Sequence, residues 1–147
     1  MSDDRRYPRH PLLGVGALIF QDDSILLALR GKPPLMDLWS LPGGLVETGE
    51  TVEEALRREV REETGLEVEP LGLLEIFERI MRDAAGGAEY HYVLLDYICT
   101  VTGGALCAGD DARSAEWVRR DDLARLPITE GTLPVIEKGF RERGKYK

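Results

Sequence analysis

Glu59, Glu62 and Glu63 fall in one segment, residues 51–64, that carries the marks of an amphipathic helix. Thr51 and Glu54 have capping-box spacing, and Gly65 stands where a helix ends on a left-handed residue. At ~100° per residue, Glu59 and Glu63 lie about 20° either side of Val52, on the face shared with Ala55, Leu56 and Val60, and Glu62 borders that face. Glu53, Glu54, Arg57 and Arg61 take the solvent side. Pairing at i,i+4 explains Glu53 with Arg57 and Glu54 with Arg58, as on any charged surface helix. It does not explain Glu59 with Glu63, which repel each other at that spacing and are costly to bury unpaired. Carboxylates turned inward either take up protons or bind a cation. Oxygen ligands with no Cys or His beside them select a hard ion, Mg²⁺ or Mn²⁺.

The elements that position this helix are short. Residues 13–20 read as a buried strand, residues 21–24 as a turn and residues 25–29 as the returning strand of a hairpin. Gly31-Lys32-Pro33-Pro34 opens a loop, and Trp39 to Gly44 is an extended piece entering a glycine turn. Beyond the helix come two long β-type runs, residues 71–81 and 90–101, with a hairpin tip at residues 83–87. A short strand at 115–118 follows, then a brief helix capped by Asp121. The final helix starts at Thr129 or Thr132 and runs towards Arg141, with Pro134 in its first turn. Strands flank helices without regular βαβ alternation, which predicts a mixed α/β fold, a mixed sheet covered by helices on both faces. No repeat or linker-like run divides the chain, so residues 1–147 are expected to form one domain, with residues 1–10 a loose N-terminal arm.

Composition narrows the function. The 147 residues are 43% hydrophobic and 31% charged, a globular balance. No apolar run approaches the ~20 residues of a membrane-spanning helix, and no signal peptide opens the chain, so the cytoplasm is expected. Cys99 and Cys107, with only His10 and His91 to help, make neither a disulfide framework nor a structural zinc site. A formal charge of −8 argues against wrapping a nucleic-acid backbone. A phosphate compound meeting so acidic a chain needs cations to bring the two anions together.

The stretch of residues 44–66, GLVETGETVEEALRREVREETGL, resembles the signature of the Nudix hydrolases. The matching positions are Gly44, Glu50, Arg58, Glu59, Val60, Glu62, Glu63, Gly65 and Leu66. Trp39-Ser40-Leu41-Pro42-Gly43 and Glu116-Trp117-Val118 are similar to the family as well. The resemblance implies a Nudix-type α/β/α sandwich with a mixed β-sheet. It also implies metal-dependent hydrolysis of the pyrophosphate bond in a nucleoside diphosphate linked to another group. By the same resemblance Glu59 and Glu63 are metal ligands, Glu62 is a further ligand or a base, and Gly43 offers its carbonyl. Glu50 and Arg58 form the pair that orients the carboxylates. A second acidic group from a distant loop is expected to complete the site; Asp111 is the first choice by its place ahead of Trp117, with Asp110 and Glu116 behind it, and a solvated turn is the plain alternative for Asp110-Asp111.

Arg30 and Lys32 are candidate phosphate contacts, or ordinary charges at a strand end. Trp39 is expected to pack its loop rather than stack on a base. Alternation sets His91 opposite Tyr90 and Tyr92, and one of those faces either lines a nucleotide pocket or belongs to the core. The proline that marks ADP-ribose hydrolases beyond the signature is absent, as are the tyrosine of the dinucleoside-polyphosphate branch and the NADH-cleaving signature. Residues 11–20 and 77–99 nonetheless resemble small bacterial ADP-ribose pyrophosphatases, which favours an ADP-ribose-like substrate. The alternatives are a nucleoside triphosphate pyrophosphohydrolase that sanitises nucleotides, or a non-catalytic nucleotide sensor. The expected partner is a small nucleoside diphosphate derivative, not a nucleic acid polymer or a membrane; a homodimer rests on the resemblance alone.

Overall fold

A computed structural model describes residues 5–147. In chain order the elements are β1 (Leu12–Gln21), β2 (Ser24–Arg30), β3 (Trp39–Ser40), β4 (Gly43–Leu45), α1 (Val52–Thr64), β5 (Leu66–Arg82), β6 (Ala88–Gly104), β7 (Ala112–Arg119) and α2 (Thr132–Glu142), with a 3-10 helix at Arg120–Arg125 before α2 and another at Arg143–Lys145 after it. The sheet is mixed. β1 runs parallel to β6, while β5 with β6 and β2 with β7 are antiparallel.

β1 is the strand around which the site is built. Its C-terminal end pairs with β2 through Phe20↔Ile25 and Gln21↔Ser24, closing the expected hairpin. Its N-terminal half instead pairs with β4, through Gly14↔Leu45, Val15↔Gly44 and Gly16↔Gly43. β2 therefore diverges from β1 and goes on to pair with β3 and β7. The divergence opens a cleft between the two groups of strands.

Alternation along β1 feeds two cores, because successive side chains leave opposite faces of a strand. Val15, Ala17 and Ile19 pack with Leu26 against Ala55, Leu56 and Val60 of α1. Leu18 packs with Ile25, Leu27 and Ile98 against Val135, Ile136 and Phe140 of α2. Helices thus cover both faces, as expected. Each of the Val, Leu, Ile and Phe side chains among these contributes roughly 1.5–3 kcal/mol when fully buried. α1 begins on the capping box of Thr51 and Glu54 and ends on Gly65 at φ 77°, whose amide donates to the Arg61 carbonyl.

Differences from the sequence reading have local causes. β5 starts at Leu66 rather than beyond Pro70, because the ladder shifts register between Pro70 and Gly72 and this edge strand absorbs the missing amide there. Asp121 does not cap the helix that follows β7: Arg119 takes that position without a side-chain bond, and Asp121 lies in the first turn. In the N-terminal segment, the Tyr7 amide donates to the Glu89 carbonyl at 2.7 Å and the Tyr7 hydroxyl donates to Asp83 at 2.8 Å. The first four residues lie outside those described. Among the described residues no helix is long and apolar enough to cross a membrane.

Candidate active site

Because Ala55, Leu56 and Val60 seat α1 on the sheet, its acidic edge is pressed against the glycine turn of β4. The Gly43 amide donates to Glu63 Oε1 at 2.8 Å. A Cβ on Gly44 would stand 2.5 Å from the Glu59 carboxyl carbon, so only glycine lets that carboxylate lie on the backbone there. Arg58 ties the acidic groups together. Its Nε and Nη2 donate to the two oxygens of Glu50 at 2.7 and 2.8 Å, a bidentate pair. Nη2 also donates to the Leu45 carbonyl at 3.0 Å, and Nη1 to Glu59 at 2.7 Å and Glu62 at 3.3 Å. The bonds from Arg58, helped by the Glu47 amide, hold the Glu50 carboxyl down to about 2. Its bonds to Glu50, in turn, push the Arg58 guanidinium up, so both stay charged.

The neighbouring carboxyls move the other way. Burial, with repulsion from Glu59 and against the pull of the Gly43 amide, raises Glu63 to about 8. Burial also raises Glu59, although Arg58 opposes it. These are groups that gain from a nearby positive charge.

The loop after β6 brings the further acid. Its backbone is fastened to the end of α1: the Cys107 amide donates to the Thr64 carbonyl at 2.8 Å and the Gly109 amide to the Glu63 carbonyl at 3.1 Å. Asp110, in a left-handed conformation at φ 53°, is carried to the cluster. One oxygen each from Glu59, Glu62 and Asp110 all lie within 4.8 Å of one another, a set able to hold a metal ion. Asp111 lines the cleft with Glu59 and Glu63 and pairs with Lys32 at 2.8 Å on its rim. Glu116 sits on β7 opposite Leu27 and accepts from Ser114. The donor set is oxygen throughout, which fits a hard divalent cation.

Arg30 stands where the acidic end of the cleft meets its other end. It lines both, and its Nε donates to the Pro34 carbonyl at 2.8 Å. Burial pulls its guanidinium down while Glu63 pulls it up. Beyond Arg30 the cleft continues as a cavity of about 110 Å³ on the α2 side of the sheet. Its lining includes Leu41, Phe77, Arg79, Tyr92, Leu94 and Asp96. Gly14 and Gly16, on β1, lie in register with Leu94 and Asp96. Trp39 packs in the α2-side core, as its sequence context suggests.

Arg79 and Asp96 were not evident as site residues. The signal was present: each interrupts an apolar stretch of a long strand, Ile76-Phe77 to Ile80-Met81 and Val93-Leu94-Leu95 to Tyr97-Ile98. Arg79 donates to the Glu130 carbonyl at 2.8 Å and stacks its guanidinium 5.1 Å from the Phe77 ring centre, fixing the start of α2 against β5.

The NUDIX domain family matches residues 10–138. The chain is 43% identical over 117 residues to the ADP-ribose pyrophosphatase of Methanocaldococcus jannaschii, covering 80% of this chain and 67% of that protein. It is 34% identical over 125 residues to the 8-oxo-dGDP phosphatase NUDT18 of Mus musculus, covering 82% of this chain but only 36% of that longer protein. Among solved structures, a MutT NUDIX hydrolase from Burkholderia pseudomallei superposes with a TM-score of 0.77 at 35% identity, over 88% of this chain and 98% of that one. With its signature helix, the glycine turn facing it and the cleft between its two groups of strands, the chain belongs to the NUDIX family of hydrolases.

Proposed function

We propose that residues 1–147 act as one Nudix hydrolase domain that cleaves the pyrophosphate bond of an ADP-ribose-like nucleoside diphosphate derivative, with Mg²⁺ or Mn²⁺ bound. The observation that carries this reading is the carboxylate set of Glu59, Glu62 and Asp110, beside the buried Glu63 and at the mouth of a cleft with an apolar far end. Glu59, Glu62, Glu63 and Asp110 would hold the cation, with the Gly43 carbonyl, and Asp111 would take part from the rim. Such a cation neutralises phosphate oxygens and lowers the pKa of a water. The chain supplies the rest. Glu50 and Arg58 hold the ligating carboxylates in place, Arg30 and Lys32 meet the diphosphate, and a carboxylate of the cluster accepts the proton of the attacking water. Likeness to the archaeal ADP-ribose pyrophosphatase supports the substrate class.

A second reading, hydrolysis of a purine nucleoside di- or triphosphate as in nucleotide sanitising, is favoured by likeness to the 8-oxo-dGDP phosphatase. One assay separates the two. Incubation with ADP-ribose and Mg²⁺ or Mn²⁺ should yield AMP, and chelator should abolish the yield. Inorganic phosphate or pyrophosphate released from the purine nucleotides, without AMP from ADP-ribose, would select the second reading. Nucleotide binding without turnover would select a sensor. A cytoplasmic location and a homodimer belong to the same proposal; elution at twice the 16.4 kDa chain mass would support the dimer.

A further inference from the structure

One carboxylate of the cleft lies outside the cation-binding set. Asp96 is only 4% exposed and lines the cleft's apolar end with Phe77, Tyr92 and Leu94. Across the sheet it is in register with Gly16 of β1 and Glu75 of β5. Gly16 leaves it room, since a Cβ there would collide with the Asp96 carboxylate. Glu75 is held by Lys138 at 3.1 Å. Among the described residues no hydrogen bond or ion pair ends on the Asp96 carboxylate. Burial pushes it up to about 7; Arg79 pulls against that and Glu75 adds to it. A buried acceptor of this kind costs free energy unless something entering the cleft brings a donor to it.

The sheet fixes how far that donor lies from the reacting end. Gly43, Gly16 and Asp96 form one row across β4, β1 and β6. Asp96 is therefore two strand spacings, ~10 Å, from the backbone that meets Glu63. That is the scale of a nucleoside extending from its diphosphate. The surroundings favour a flat heterocycle over a sugar, because Phe77, Leu94 and Leu41 offer apolar walls to the faces of a ring. On the edge of a purine the donors are the N6 amino group of adenine and, in guanine, the N2 amino group with the N1–H beside it.

We propose that Asp96 is the specificity-determining residue of the cleft, its carboxylate accepting a hydrogen bond from the exocyclic amino group of a purine base. The inference rests on reading the cleft as a nucleotide site. Hypoxanthine, the base of IMP, is the purine that Asp96 holds least well: relative to adenine it sets a carbonyl oxygen against the acceptor, and relative to guanine it keeps N1–H but lacks the amino group.

The test is calorimetric binding of AMP, GMP and IMP to the full chain and to the variants D96A and D96N, which needs no turnover. Above about pH 8, where the Asp96 carboxyl is ionised, AMP or GMP should bind the unmodified chain about 10-fold or more tighter than IMP, the range for a hydrogen bond to a charged group. Preference for AMP assigns N6 as the donor and preference for GMP assigns N2. In D96A the preference should fall below about twofold, with AMP or GMP binding weakened and IMP binding not weakened, and D96N, which keeps an acceptor oxygen, should retain part of it. Thermal melting verifies that each variant folds, and D96N alone decides if D96A does not. Equal affinity for the three nucleotides, no measurable binding of any, or a preference that survives the substitution would overturn the assignment. Absent turnover with the binding preference intact would refute the hydrolase reading and leave the role of Asp96 standing.

Discussion

Replacing Glu63 by Gln should stabilise the cation-free protein while removing its activity. The Glu63 carboxyl is raised from an ordinary 4.5 to about 8, first by burial and then by Glu59 and Asp111, against the Gly43 amide and Arg30. Between those two values the folded chain keeps a proton that the unfolded chain has released. Its contribution to stability is thus fully present below pH 4.5 and is lost as pH climbs through 8. At about 1.4 kcal/mol per pH unit, the loss is on the order of 3 kcal/mol at pH 7 and 5 kcal/mol above pH 8. Gln keeps an oxygen for the Gly43 amide and never ionises, so the variant should escape that loss. For a chain of this size the gain at pH 7 corresponds to roughly 10 °C in melting temperature. Melting both proteins in chelator at pH 5, 7 and 8.5 measures it: the curves should converge at pH 5 and separate as pH rises. Adding Mn²⁺ should then raise the melting temperature of the wild type far more than that of the variant. A variant no more stable than wild type at pH 8.5, with the same slope against pH, would refute the argument that burial strains this carboxyl.

Two further outcomes follow from the geometry around it. Asp110→Asn should weaken Mn²⁺ binding by roughly 10-fold at unchanged melting temperature in chelator, whereas Asp111→Asn, which acts from the rim and is engaged by Lys32, should weaken it by less than about threefold; titration calorimetry compares the two. Gly44→Ala should cut turnover by roughly 100-fold, because the new methyl occupies the space of the Glu59 carboxylate; steady-state rates with ADP-ribose and Mg²⁺ would read this, and near-normal rates would show that Glu59 can shift without cost.

The helix was legible because everything that defines it is local. The capping box, the left-handed Gly65 and the periodicity that turns Glu59 and Glu63 inward all lie within residues 51–65, and the structure reproduces each. The hairpin of β1 and β2 was equally plain from its apolar runs and turn residues. Asp110 and Asp111 could not be separated in the same way. Adjacent side chains in a loop point by backbone torsions that distant hydrogen bonds set, here from Cys107 and Gly109 to the last turn of α1. Arg79 and Asp96 are far apart in sequence, and only the pairing of β5 with β6 and of β6 with β1 brings them to one cleft. The divergence of β2 from β1 has no local signature, since it depends on β4 taking β2's place along half of a strand.

The loop bearing Asp110 is fastened to the very helix that bears Glu59 and Glu62, while Phe77, Arg79 and Asp96 ride on the opposite face of the sheet. The residues proposed for reaction and those proposed for recognition therefore hang from different elements of the molecule. Mutation can remodel which molecule is gripped by exchanging side chains on two strands, without disturbing the fixed spacing that the bond-breaking half requires.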